Sequence, residues 1–114
     1  MTPNSSSAPF VAINYIDCEP HYIERFEQLF ATRAHAIDRL PGFRQMQVLK
    51  PKDGEGSYLV ISYWDSEAEF QAWTRSPEFH EGHKRAFSDL AKAKEEGNAS
   101  PMRSSFKVYN VISR

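Results

Sequence analysis

Apolar positions cluster in four short stretches of the chain, each dense in β-branched and aromatic residues: 10–16 (Phe-Val-Ala-Ile-Asn-Tyr-Ile), 43–50 (Phe-Arg-Gln-Met-Gln-Val-Leu-Lys), 58–64 (Tyr-Leu-Val-Ile-Ser-Tyr-Trp) and 105–112 (Ser-Phe-Lys-Val-Tyr-Asn-Val-Ile). Such residues suit a pleated, half-buried surface, so four strands are predicted. The middle two are joined by Pro-Lys-Asp-Gly-Glu-Gly-Ser, turn chemistry that suits a hairpin and makes them antiparallel. Between the first two strands the apolar period lengthens, and Ile23, Phe26, Leu29, Phe30, Ala34, Ile37 and Leu40 recur at helical spacing. One helix is predicted there, entered at Pro20 and ended by Pro41-Gly42. After the third strand, Ser66-Glu67-Ala68-Glu69 matches a capping box: Ser66 is expected to accept from the N3 amide while Glu69 reaches back to the cap. The short helix it opens carries Phe70 and Trp73. Ser76-Pro77 restarts the chain with a cap and an N1 proline, and Phe79, Ala86, Phe87 and Leu90 mark a longer helix. Gly97, Asn98, Ser100 and Pro101 make 95–104 a loop.

The order β-α-β-β-α-β is that of the ferredoxin-like split βαβ unit, an α+β fold with an antiparallel sheet and helices on one face. Strand residues of both parities are apolar, Val11, Ile13 and Tyr15 on one side and Phe10, Ala12 and Ile16 on the other, so neither sheet face suits water. A second copy is expected to cover the face without helices, giving a homodimer.

Composition narrows the function classes. The 114 residues amount to one domain, and 14 basic against 15 acidic side chains leave a net charge of -1, without the basic excess that a nucleic-acid partner requires. The single cysteine, Cys18, cannot close an intramolecular disulfide, and the longest apolar runs are far too short to cross a membrane. Residues 1–8 are polar and Ser-rich, with no basic or apolar segment of a secretion signal; they read as a flexible tail before a single domain at 9–114. A cytoplasmic location is expected, with a removed organellar leader as the open alternative.

Several residues look out of place. At 100° per residue along the last helix, with Phe79 at 0°, Ala86 falls at roughly 340°, Leu90 at 20°, Phe87 at 80° and His83 at 40°, in the middle of the apolar stripe. Either His83 is a core histidine satisfied by a backbone carbonyl, or its neutral imidazole faces a pocket and ligates iron. Gly82 leaves bare backbone beside it, where a flat ligand can approach closely. On the first helix Arg33 lands inside the apolar arc, which requires snorkelling to water or a buried carboxylate such as a haem propionate. Asn14 interrupts a strand between Ala12 and Ile16, so it sits at a wet mouth or donates inside a pocket. Trp73 reads as core or as the wall of a site, Trp64 as core. His80 and His83 lack a third metal ligand at suggestive spacing, Cys18 has no implied base, and Gly54 and Gly56 precede no helix that would make a phosphate loop.

The stretches Arg33-Ala34-His35-Ala36, Pro41-Gly42-Phe43, Leu49-Lys50-Pro51, Val60-Ile61-Ser62-Tyr63-Trp64 and Phe70-Gln71-Ala72-Trp73 resemble the antibiotic biosynthesis monooxygenase superfamily, over about Val11 to Ile112. Within it the chain looks most like the IsdG-type haem-degrading monooxygenases, including the mycobacterial kind. The resemblance implies a dimeric α+β barrel of ferredoxin-like halves, with haem as both substrate and oxygen-activating centre, and with O2 and an external electron donor, a reductase or ascorbate, as co-reactants. It also implies Asn14, Trp73 and His83 as the catalytic group: His83 as axial ligand to the haem iron, Trp73 pressing on and ruffling the macrocycle, and the Asn14 amide hydrogen-bonding the distal ligand. Phe30 and Arg33 match positions that line the haem pocket, and Phe79, Gly82 and Phe87 are expected beside it. Leu29 departs from the mycobacterial pattern, which has arginine there. Two other readings stay open: a cofactor-free monooxygenase of a quinol or polyketide, and a haem-binding protein without turnover.

Overall fold

The computed structural model describes residues 9–114; the expected tail at 1–8 lies outside the described residues. Four strands, β1 (Phe10–Cys18), β2 (Phe43–Leu49), β3 (Tyr58–Trp64) and β4 (Met102–Asn110), form one antiparallel sheet in the order β2-β3-β1-β4. Three helices, α1 (Ile23–Ala31), α2 (Glu67–Thr74) and α3 (Pro77–Glu95), complete the predicted α+β, ferredoxin-like arrangement. Strand pairing fixes the faces. Phe10, Ala12, Asn14 and Ile16 of β1 stand beside Trp64, Ser62, Val60 and Tyr58 of β3, and this side carries the buried core. The opposite side shows Val11, Ile13, Tyr15, Leu59 and Tyr63, all half-buried, with Tyr109 and Leu49 exposed.

The predicted first helix is broken. It ends at Ala31, where the Thr32 hydroxyl donates to the Gln28 carbonyl at 2.7 Å, and His35 then takes a left-handed backbone with φ of 59°. A separate 3-10 turn, Ala36–Arg39, buries Ala36 and Ile37. Ile37 and Leu40 keep the spacing of a continuous helix although they lie beyond its end, which is why periodicity alone joined them to it. The capping box differs as well: Ser66 makes no cap bond, and its hydroxyl donates to the Glu69 carboxylate at 2.9 Å. That carboxylate lies against Gly42, whose φ of 81° and lack of a Cβ both fit the crowding, since a Cβ there would collide with the Glu69 oxygens. β1 runs two residues past its predicted end, and β4 starts at Met102 and ends at Asn110, so the 95–104 loop is shorter than expected.

α3 follows the sequence closely. Ser76 accepts from the Phe79 amide at 3.2 Å and Pro77 occupies the first turn. At the other end the Asn98 amide donates to Ala93 O at 2.8 Å and the Gly97 amide to Lys94 O at 3.1 Å, with Gly97 at φ 77°, a Schellman stop. Yet no residue of α3 is fully buried, although its stripe is apolar. The core beneath it is divided into two clusters. One holds Phe10, Ala12, Ile37, Trp64 and Phe70; the other holds Ile16, Tyr22, Phe26, Leu29 and Tyr58. The α3 stripe faces the gap between them.

Candidate active site

That gap is a cavity of about 410 Å³, within the range of small-molecule sites. Its floor is the sheet, with Ala12, Asn14, Ile16, Val60 and Ser62; its roof is α3, with Phe79, Gly82, His83, Ala86 and Phe87; Phe30 and Arg33 stand at one side and Trp73 at another. Every site residue expected from the sequence therefore borders one cavity.

Asn14 lies on β1 between Ala12 of the first core cluster and Ile16 of the second. Its Oδ1 is buried with no hydrogen-bond partner among the described residues, an arrangement that costs about 1–3 kcal/mol in a ligand-free protein. The indole Nε1 of Trp73 is buried and unpartnered in the same way. Trp73 also packs on the core, its ring 5.5 Å from that of Trp64 and 5.9 Å from that of Phe70, while lining the cavity.

His83 has the backbone carbonyl partner of a core histidine and also lines the cavity. Nδ1–H donates to the Phe79 carbonyl one helical turn back at 2.7 Å, and Nε2 makes no hydrogen bond among the described residues. The imidazole is stacked between two rings, Phe79 at 4.2 Å and Phe87 at 5.4 Å between centroids, and Trp73 stands 5.8 Å away. Its plane is held on both faces, and a backbone carbonyl that orients an imidazole in this way is the usual outer partner of an iron-binding histidine.

Arg33 borders the cavity but differs from expectation in both its element and its partner. It sits beyond the end of α1 instead of on the helix face, and it pairs with Asp38 at 3.3 Å. Asp38 also accepts from His35 Nδ1 at 3.0 Å; partial burial opposes its ionisation, but these two bonds outweigh it and hold the carboxyl below its usual range. Sequence reasoning missed Arg85. It projects from the polar side of α3, and only the length of its side chain brings it to the cavity, where it binds the end of α1. A Cβ added at Gly82 would meet nothing within 4 Å, so packing within the chain does not require glycine there. The Cys18 thiol is pushed up to about 11, first by burial and then by Asp17 and Glu27, so it stays protonated and is no nucleophile at neutral pH.

The family model for antibiotic biosynthesis monooxygenases matches residues 9–85. The chain belongs to the antibiotic biosynthesis monooxygenase family. Among its relatives is a haem oxygenase (mycobilin-producing) of Mycobacterium tuberculosis, 41% identical over 78 residues, which are 67% of this chain and 74% of that protein. The structure of the haem-degrader MhuD from Mycobacterium tuberculosis, with two haems bound in its active site, superposes with a TM-score of 0.65 at 30% identity, over 92% of this chain and 97% of that one. The cofactor-independent oxygenase SnoaB of Streptomyces nogalater superposes with a TM-score of 0.66 at 21% identity, over 94% and 96% of the two chains, a likeness of fold alone. Membership in the antibiotic biosynthesis monooxygenase family thus accounts for the sheet and helices, and the cavity's own residues must distinguish the chemistry. No helix among the described residues is long and apolar enough to cross a membrane.

Proposed function

We propose that this protein is a haem-degrading monooxygenase, which opens the porphyrin with O2 and electrons from an external donor, a reductase or ascorbate, and releases iron and a linear tetrapyrrole. The observation that carries the reading is that Asn14, Trp73 and His83 line a single, largely apolar cavity, and that the Asn14 carbonyl oxygen and the Trp73 indole N–H beside it are buried without hydrogen-bond partners among the described residues. A flat, iron-bearing dianion in this cavity would give the His83 imidazole a metal to hold and set the Asn14 side chain, whose NH2 group is the donor, beside the iron-bound ligand. Haem supplies the iron at which dioxygen is activated. His83, on the roof, holds that iron through Nε2, oriented by the Phe79 carbonyl. Asn14, on the floor, offers its amide to the ligand on the opposite side of the ring. Trp73 presses on the macrocycle, while Phe30, Phe79, Phe87 and the bare Gly82 wall it in, and Arg33 faces the acidic edge.

A second copy covering Val11, Ile13, Tyr15, Leu59 and Tyr63 completes a homodimeric barrel in this reading. A reducing cytoplasm is the proposed location, in keeping with the free thiol of Cys18. The test is to add hemin to the purified protein, follow the Soret band, then add ascorbate in air and identify the pigment by mass spectrometry. Bleaching with formation of an open-chain tetrapyrrole is expected. Intact haem after exposure to reductant and oxygen would make the protein a carrier, and no haem binding with activity on an aromatic quinol would make it a cofactor-free oxygenase.

A further inference from the structure

Arg85 follows His83 by two residues on α3 and lines the same cavity. Its Nη1 donates to the Thr32 hydroxyl at 2.9 Å, and its Nη2 donates to the carbonyls of Leu29 and Thr32 at 2.9 and 3.0 Å. A guanidinium has five N–H donors, so these bonds leave two unengaged. All three acceptors are uncharged, and Arg85 has no carboxylate partner among the described residues, whereas Arg33 nearby is already answered by Asp38. A solvent-exposed cation with no carboxylate partner among the described residues therefore stands at the edge of a largely apolar cavity. The carbonyls of the last turn of α1 favour a cation there and hold the planar fork still, so little side-chain freedom is left to lose when an anion arrives.

We infer that Arg85 is a specificity-determining residue that receives a carboxylate of the substrate, so the cavity selects flat apolar molecules bearing an acid group at the α1–α3 end. The inference rests on the haem reading, in which that acid is a propionate. It also gives the missing charge at Leu29 a replacement: Arg85 reaches the Leu29 carbonyl from another helix. A plain brace between α3 and α1 would make the same three bonds, but it would be indifferent to the charge of the occupant.

Hemin and hemin dimethyl ester separate the two roles, since they differ only in the carboxylates. Wild-type protein should bind the acid at least about tenfold more tightly, the worth of one charge-assisted bond. Arg85→Gln should remove about tenfold from the acid while moving the ester by less than about threefold. Arg85→Lys, which keeps the charge without the fork, should retain part of the preference, and Thr32→Val, which cuts one bracing bond, should retain all of it. Equal weakening of both porphyrins in the Gln and Lys variants, or a preference untouched by either, overturns the inference. If wild-type protein binds neither porphyrin, the haem reading fails, and 1-pyrenebutyric acid against its methyl ester puts the same question to the cavity by fluorescence. A preference for that acid lost in Arg85→Gln supports the role of Arg85; no preference overturns it.

Discussion

Replacing Asn14 by leucine should make the ligand-free protein more stable and the enzyme worse. In the free protein the Asn14 Oδ1 is sealed from solvent without a partner, a penalty of about 1–3 kcal/mol that an apolar side chain of similar shape does not carry. Leucine is also better suited to a strand, and the adjoining cavity accommodates its slightly greater bulk. A gain of about 1–3 kcal/mol in a domain of this size raises the melting temperature by roughly 4–12 °C. The same change removes the donor that Asn14 offers to the substrate, and losing one preorganised donor of this kind costs about 100- to 1000-fold in rate. Thermal unfolding followed by far-UV circular dichroism without hemin measures the first effect, and single-turnover bleaching of the Soret band with ascorbate in air measures the second. A melting temperature that stays level or falls would show that the oxygen is not unpaired, and an unaltered bleaching rate would remove Asn14 from the chemistry.

Other outcomes follow from the same geometry. His83→Ala should abolish turnover and shift the Soret band of the hemin complex; an unchanged spectrum would refute the assignment of the ligand. Gly82→Ala should stabilise the free protein by about 1 kcal/mol, because alanine is the better helix former and nothing crowds its Cβ, while hemin titration should show weaker binding if a flat ligand lies over that backbone. Burial opposes the ionisation of Asp89, but hydrogen bonds from Arg25 and Tyr22 at 2.9 and 2.7 Å outweigh it and depress its pKa. The stability this group adds is complete above the ordinary carboxylate pKa and is lost as pH falls through the depressed value. Urea titrations of Asp89→Asn should accordingly show a shallower loss of stability in acid than wild type.

The strands and α3 were legible because their signals are local: β-branched runs bounded by turn residues, and a serine cap followed by proline. The end of α1 was not. Ala34, Ile37 and Leu40 continue the helical period, and nothing in the sequence announces that His35 adopts a left-handed backbone, a conformation enforced by what surrounds it. Asn14 and His83 stood out because each is a polar residue in an apolar series, and both line the cavity between the two halves of the core. Arg85 gave no such signal. It lies on the side of α3 where charge is ordinary, and its importance comes from tertiary contacts with Leu29 and Thr32, more than fifty residues earlier in the chain.

The proposed chemistry stands on His83, whose imidazole lines an apolar slot. A crystal structure of the protein with hemin tests it most directly. The iron should be bonded to Nε2 of His83, with the macrocycle between α3 and the sheet and the Asn14 amide on its far side. Iron held by another residue, or haem bound outside the slot, would contradict it.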